Sequence, residues 1–229
     1  MRINLGIASR EGVTDHHWGD YSHLLALLDP ERGEADIVLP AKVRVTNVVT
    51  FHDLDDIEVR APQYLSCTKP GEEHIHEIFR TFSHMRETEG EGILVQCEAG
   101  ISRSTAAAIL GLCHLGIPPE EAFETVTAIN ELSLPNRRML RIGGKMLGDR
   151  GELVKIAEKH RREMFAKHNQ TDPVEELKNE LFATGYWSLR WKCIGWVVNN
   201  FGRASKAGSD LKMIARLKLK LAMKGRRRQ

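Results

Sequence analysis

Five residues separate Cys97 from Arg103, and both are residue types that handle phosphate. A thiolate is a strong nucleophile, and a guanidinium grips two oxygens of a phosphate in a fork that lysine cannot form. Between them lie Glu98, Ala99, Gly100, Ile101 and Ser102, and Ser104 follows directly. Ile93, Leu94 and Val95 read as a buried strand leading into the cysteine, and Thr105 to Leu112 are helix formers. The stretch is therefore strand, tight loop, helix. Such a loop turns successive backbone N–H groups inward and adds the positive end of a helix dipole, a setting that suits a dianion and favours a thiolate. Gly100 offers a position where positive φ costs little and the backbone approaches a ligand closely. No other cysteine has the arginine: the sixth residue after Cys67 is Glu73, after Cys113 Pro119 and after Cys193 Asn199.

The run Cys97-x-Ala99-Gly100-x-Ser102-Arg103-Ser104 resembles the signature loop of the cysteine-dependent protein tyrosine phosphatases, in its dual-specificity form. Leu134-Pro135-Asn136, before a helical stretch, is similar to the Pro-Asn that follows the signature helix in that family. The likeness covers roughly residues 40–148 and departs at Gln96, where the family usually has histidine. It implies an α/β fold with a central, mostly parallel sheet flanked by helices. It implies a phosphoprotein phosphatase working through a cysteinyl phosphate, without a cofactor or metal. Cys97 would be the nucleophile, and residues Glu98 to Arg103 would bind the phosphate. Ser104 reads either as a hydroxyl that eases departure of the sulfur or as a helix-start cap. The loop interior has no basic residue, which disfavours polyphosphorylated lipid.

Ester cleavage also needs a proton for the departing oxygen, and a carboxylic acid is the usual donor. Asp53, Asp55 and Asp56 follow the β-branched run Arg44 to Phe51. Asp53 matches the position of the family's acid best, although it precedes Cys97 by 44 residues, more than is usual there. Pro-containing residues 57–71 absorb the excess as a loop. Two further readings stay open: an RNA 5′-phosphatase using the same loop, and an inactive phosphate-binding module, for which Gln96 is the hint.

Those groups must be held by the rest of the chain. Its 229 residues, 41% hydrophobic and 28% charged, suffice for one ample core or one domain with an appendage. Ile3–Ala8 reads as a first strand, Leu24–Leu28 as part of a helix ended by Asp29-Pro30, and Glu72–Glu87 as an amphipathic helix. Helices are also expected over 103–115, from Pro118-Pro119, and over about 136–146 and 151–165. Strands alternating with helices point to a parallel sheet, whose carboxyl edge is where ligands bind. The closest histidine groupings, His16-His17, His52-Asp53 and His74-x-His76, lack metal-site spacing. Cys67, Cys113 and Cys193 read as small buried hydrophobes.

The domain is expected over 1–166, with an extension over 167–229. Residues 184–229 hold twelve Lys/Arg and one acid, a balance of +11, so the remainder carries −9 of the net +2. Trp187, Trp191, Ile194, Val198 and Phe201 recur at helical spacing, as do Leu211, Ile214, Leu217 and Leu221. Such a basic tail suits a membrane surface or nucleic acid, or docks on the body. No run of 18 apolar residues or signal-peptide core is present, and a reactive thiol suits a reducing, cytoplasmic setting.

Overall fold

The computed structural model describes residues 3–10, 12, 21–32, 43, 45–55, 66–88 and 92–167. The chain divides into two compact units, Met1–Arg161 and Arg162–Gln229. The expected tail helices, His16-His17, Cys193 and Asp56 lie outside the described residues. Four strands, β1 (Leu5–Ser9), β2 (His23–Leu28), β3 (Val45–Thr50) and β4 (Ile93–Cys97), form one sheet in the order β1-β4-β2-β3. Every pairing is parallel, as the alternation of strands and helices predicts. The helices are α1 (Glu72–Glu87), α2 (Arg103–His114), α3 (Pro119–Ile129), α4 (Arg137–Met146) and α5 (Glu152–Lys167). None of the described helices is long and apolar enough to cross a membrane.

One expectation fails at β2. Leu24–Leu28 is a strand rather than part of a helix, and all of His23–Leu28 is buried. A strand held between two parallel neighbours hides both faces and so reads as a continuous apolar run, without the alternation that betrays a half-exposed one. β4 has the same character, each of its five residues being buried.

Alternate residues of the strands divide between two layers. Ile93, Val95 and Cys97 face the main core, where Ile75, Ile78 and Phe82 of α1, the alanines of α2, and residues of α3, α4 and α5 gather. Leu94 faces the other way, beside Ala8 and Leu24, with Tyr21 and Val43 against them. Helix α2 is buried along Arg103–Leu112, so its Ala-rich sequence is what lets it lie deep in the core.

Parallel register has a direct consequence for chemistry. Ser9 pairs with Cys97, Leu24 with Leu94, and Leu28 with Thr50, so all four strands end on the same side. The residues that come next (Arg10, Asp29, Phe51 to Asp53, and Glu98 onward) are gathered along one edge.

Candidate active site

Cys97 ends β4 and is 2% exposed. Its Sγ lies 3.1 Å from Ser104 Oγ and accepts a hydrogen bond from the Gly100 N–H at 3.2 Å. The loop carbonyls are tied to its outside. The carbonyl of Glu98 accepts from the Arg10 N–H at 3.2 Å, that of Ile101 from the Leu134 N–H at 2.9 Å, and that of Ser102 from the Asn136 N–H at 3.3 Å. Asn130 Nδ2 donates to the Gly100 carbonyl at 2.8 Å. A trans peptide points its N–H opposite to its C=O, so each of these four ties also fixes the orientation of the next residue's N–H group. The Glu98 side chain sits at the rim and pairs with Arg10 at 3.2 Å.

Arg103, the first residue of α2, is 2% exposed. Its Nη1 donates to Asp29 Oδ1 and to the Phe51 carbonyl, both at 2.8 Å. Its Nε is buried and has no hydrogen-bond partner. Burial alone would push the guanidinium below its ordinary pKa, but Asp53 and Asp29, together with Cys97, reverse this and hold it above.

Asp53 follows β3 at the same edge. Its Oδ1 accepts from Ser102 Oγ and from Asn136 Nδ2, each at 2.8 Å, and its Oδ2 lies 4.0 Å from Arg103 Nε. Asp55 is directed elsewhere, to Arg137 Nε at 2.7 Å. Among the described candidates, then, Asp53 is the one brought beside Arg103.

Of the other groups considered for chemistry, His52 faces the Thr68 carbonyl at 3.2 Å and Glu31 at 3.0 Å. His74 accepts from the Gly71 N–H at 3.0 Å. Cys113 packs partly buried against the core, and burial, with Asp149 and Glu120 nearby, pushes its thiol up to about 12. Cys67 is likewise pushed up, chiefly by burial and then by Glu31.

No protein-family model and no curated protein matches the chain. Among solved structures it is similar to human DUSP28, with 18% identity and a TM-score of 0.46 over 63% of this chain and 91% of that one. Human tyrosine phosphatase-like serine/threonine/tyrosine-interacting protein gives 16% and 0.48 over 63% and 91%. DUSP15 gives 16% and 0.47 over 70% and 92%. Its structural neighbours include dual-specificity phosphatases.

Four contributors to the site escape the sequence reading: Asp29, the Phe51 carbonyl, Asn130 and Arg10. Asp29 was legible in principle. Read as a parallel strand, the apolar run before it places this acid at the carboxyl edge, as β3 places Asp53. Asn130 and Arg10 act through backbone ties that no spacing announces.

Proposed function

We propose that the chain is a cysteine-dependent phosphatase that hydrolyses phosphate monoesters on proteins or peptides, of tyrosine or dual-specificity type. The Cys97 thiolate attacks phosphorus, forming the S–P bond as the ester P–O bond breaks. Arg103 and the inward loop N–H groups hold the equatorial oxygens where charge develops. Asp53 gives its proton to the departing oxygen. Water then attacks the cysteinyl phosphate, Asp53 takes up the water's proton, and Ser104 Oγ–H steadies the sulfur as it leaves. The observation that supports the reading is the open edge of the Arg103 guanidinium. Arg103 Nε is buried and unpartnered, and Asp53 stands 4.0 Å from it. Cys97 ends the strand that leads into the loop closed by Arg103, and its Sγ accepts from the Gly100 N–H at 3.2 Å.

Two cations at the edge are already matched. Arg10 pairs with Glu98 at 3.2 Å and Arg137 with Asp55 at 2.7 Å. This favours a single phosphate dianion over a 5′-triphosphate, and with it the protein reading over the RNA one. No step of the mechanism needs the extension over 167–229. The test is p-nitrophenyl phosphate turnover in EDTA, with vanadate as inhibitor, followed by competition between phosphopeptides and triphosphate-ended RNA. Turnover abolished in Cys97→Ser and phosphopeptides winning are the expected results. Full activity in Cys97→Ser, or activity lost to EDTA, refutes the mechanism; a win for the RNA replaces the substrate class.

A further inference from the structure

We propose that His160 is a positioning residue for phosphate binding: from helix α5 it fixes Ser133, and through residues 130–136 it holds the carbonyls of Gly100 and Ile101, so that the loop keeps the shape that takes the ligand. This role rests on the reading of the Cys97–Arg103 loop as the phosphate site given above, and it adds a residue that the loop motif does not contain.

Residues 130–136, between α3 and α4, grip three successive carbonyls of that loop. Asn130 Nδ2 donates to Gly100 at 2.8 Å, the Leu134 N–H to Ile101 at 2.9 Å and the Asn136 N–H to Ser102 at 3.3 Å. Asn136 is anchored separately, through Asp53 and the Leu54 carbonyl. The stretch before it has neither helix nor strand. Asn130 folds it into a turn: its Oδ1 accepts from the Leu132 N–H at 3.0 Å and its carbonyl from the Ser133 N–H at 3.1 Å. His160 ties this turn to the core. Ser133 is fully buried, and His160 Nε2 stands 3.0 Å from its carbonyl and 3.3 Å from its Oγ. A carbonyl only accepts, so Nε2 carries the hydrogen.

The placement follows from helical spacing. Leu153 and Ala157 of α5 lie in the main core, and His160, three residues after Ala157, shares their face. A helix seated in the core thus reaches the turn with one ring. Removing that donor leaves a buried carbonyl unsatisfied, which is costly. The turn relieves the cost by swinging Ser133 toward water, and Asn130 and Leu134 on either side move with it. The carbonyls of Gly100 and Ile101 are then released. The Ile101 and Ser102 N–H groups, which share their peptide planes, lose their fixed orientation.

The experiment uses the full chain and two amides of different reach. His160→Gln places an N–H near the position of Nε2, whereas the shorter His160→Asn ends near Nδ1. Leu153→Ala is the control, since it thins the same face of α5 away from the ring. Tungstate affinity is measured by calorimetry, and kcat and KM are measured for aryl phosphates over a range of leaving groups, well below the melting temperature found by circular dichroism. Positioning predicts about a tenfold loss of tungstate affinity in His160→Asn, recovery in His160→Gln to within about threefold of wild type, and nearly unchanged affinity in Leu153→Ala. It predicts the same fractional loss of kcat/KM for good and poor leaving groups, because the proton donor is untouched. Tungstate affinity in His160→Asn within about twofold of wild type overturns the proposal. So does an equal loss in His160→Gln or in Leu153→Ala, the mark of a loosened helix. If His160→Asn does not fold, Asn130→Ala cuts the same tie at its loop end and must show the loss; unchanged affinity there overturns the proposal too. If the wild-type chain binds tungstate but turns over nothing, the catalytic reading falls while the bracing role is still decided by the tungstate comparison; if it binds none, both fall.

Discussion

Gly100 is held to glycine by two separate constraints. Its φ of +73° lies in the left-handed region, and a Cβ built there would stand 2.8 Å from the Ser9 nitrogen and 3.0 Å from the Ala8 carbonyl carbon. Those neighbours are backbone of β1 and cannot swing aside. Gly100→Ala is therefore expected to cost about 2 kcal/mol or more, from left-handed strain plus displacement of the loop, and to abolish turnover because the Gly100 N–H leaves the sulfur. Gly116→Ala is the control: its φ is +93° with nothing within 4 Å of the added carbon, so it pays about 1 kcal/mol of strain and keeps activity. Denaturant melts and p-nitrophenyl phosphate assays on both variants check this; an active Gly100→Ala would show that the loop tolerates a shift away from Ser9. Gln96 poses a different problem at the same scale. It is 1% exposed and its Oε1 has no hydrogen-bond partner, an arrangement that ordinarily costs about 1 to 3 kcal/mol. Its register neighbours are Ala8 and Ala26, small residues that leave room for a long side chain beside the sheet.

At the scale of elements, Asn136 joins three of them. Its Oδ1 caps α4 by accepting from the Met139 N–H at 3.0 Å. Its Nδ2 donates to Asp53 at 2.8 Å and to the Leu54 carbonyl at 3.3 Å, and its own N–H holds the Ser102 carbonyl. Asn136→Ala should lose about 1 to 2 kcal/mol of stability from the missing cap and lower kcat, since Asp53 keeps only Ser102 as a neutral donor. Vanadate affinity should stay near wild type, because the backbone tie to Ser102 survives; a parallel loss of vanadate binding would place Asn136 with the phosphate ligands instead. The elements themselves were largely legible. α1, α3 and the β4–loop–α2 unit announce themselves through periodicity, Pro-Pro-Glu-Glu and the apolar run before Cys97. β2 was not, because five apolar residues in a row fit a buried helix turn as well as a central strand, and only length and pairing decide between them. Motif spacing finds residues that touch a ligand along one loop. It is blind to Asp29, 74 positions from the arginine it holds, whose nearness follows from strand order alone.

Across the described residues, a set of half-buried titratable groups sets a window of stability. His74 is held below its ordinary value of 6.5, chiefly by burial, against the pull of Glu73 and the Thr50 carbonyl. His114 is held below it as well, by burial and then by Arg86, while its ring stacks on Phe79 at 4.5 Å. For both, the folded chain binds protons later than the unfolded chain as pH falls. Above 6.5 neither state is protonated and nothing is lost; below it the unfolded chain protonates first, and stability drops until the folded values are passed. The thiols act in the opposite direction. Cys113, pushed up to about 12, and Cys67, raised mainly by burial, keep their protons in the folded chain after the unfolded thiols ionise from 9.0 upward. The contribution is intact below 9.0 and is lost as pH climbs from there. Thermal midpoints measured in matched ionic strength should thus form a plateau between about pH 6.5 and 9 and fall on both sides. His74→Gln with His114→Gln should flatten the acid limb, and Cys113→Ala the alkaline one. Midpoints that rise between pH 7.5 and 5.5, or an acid limb unchanged in the double histidine variant, would mean that other groups govern the acid side and that these two imidazoles are not kept neutral by the core they border.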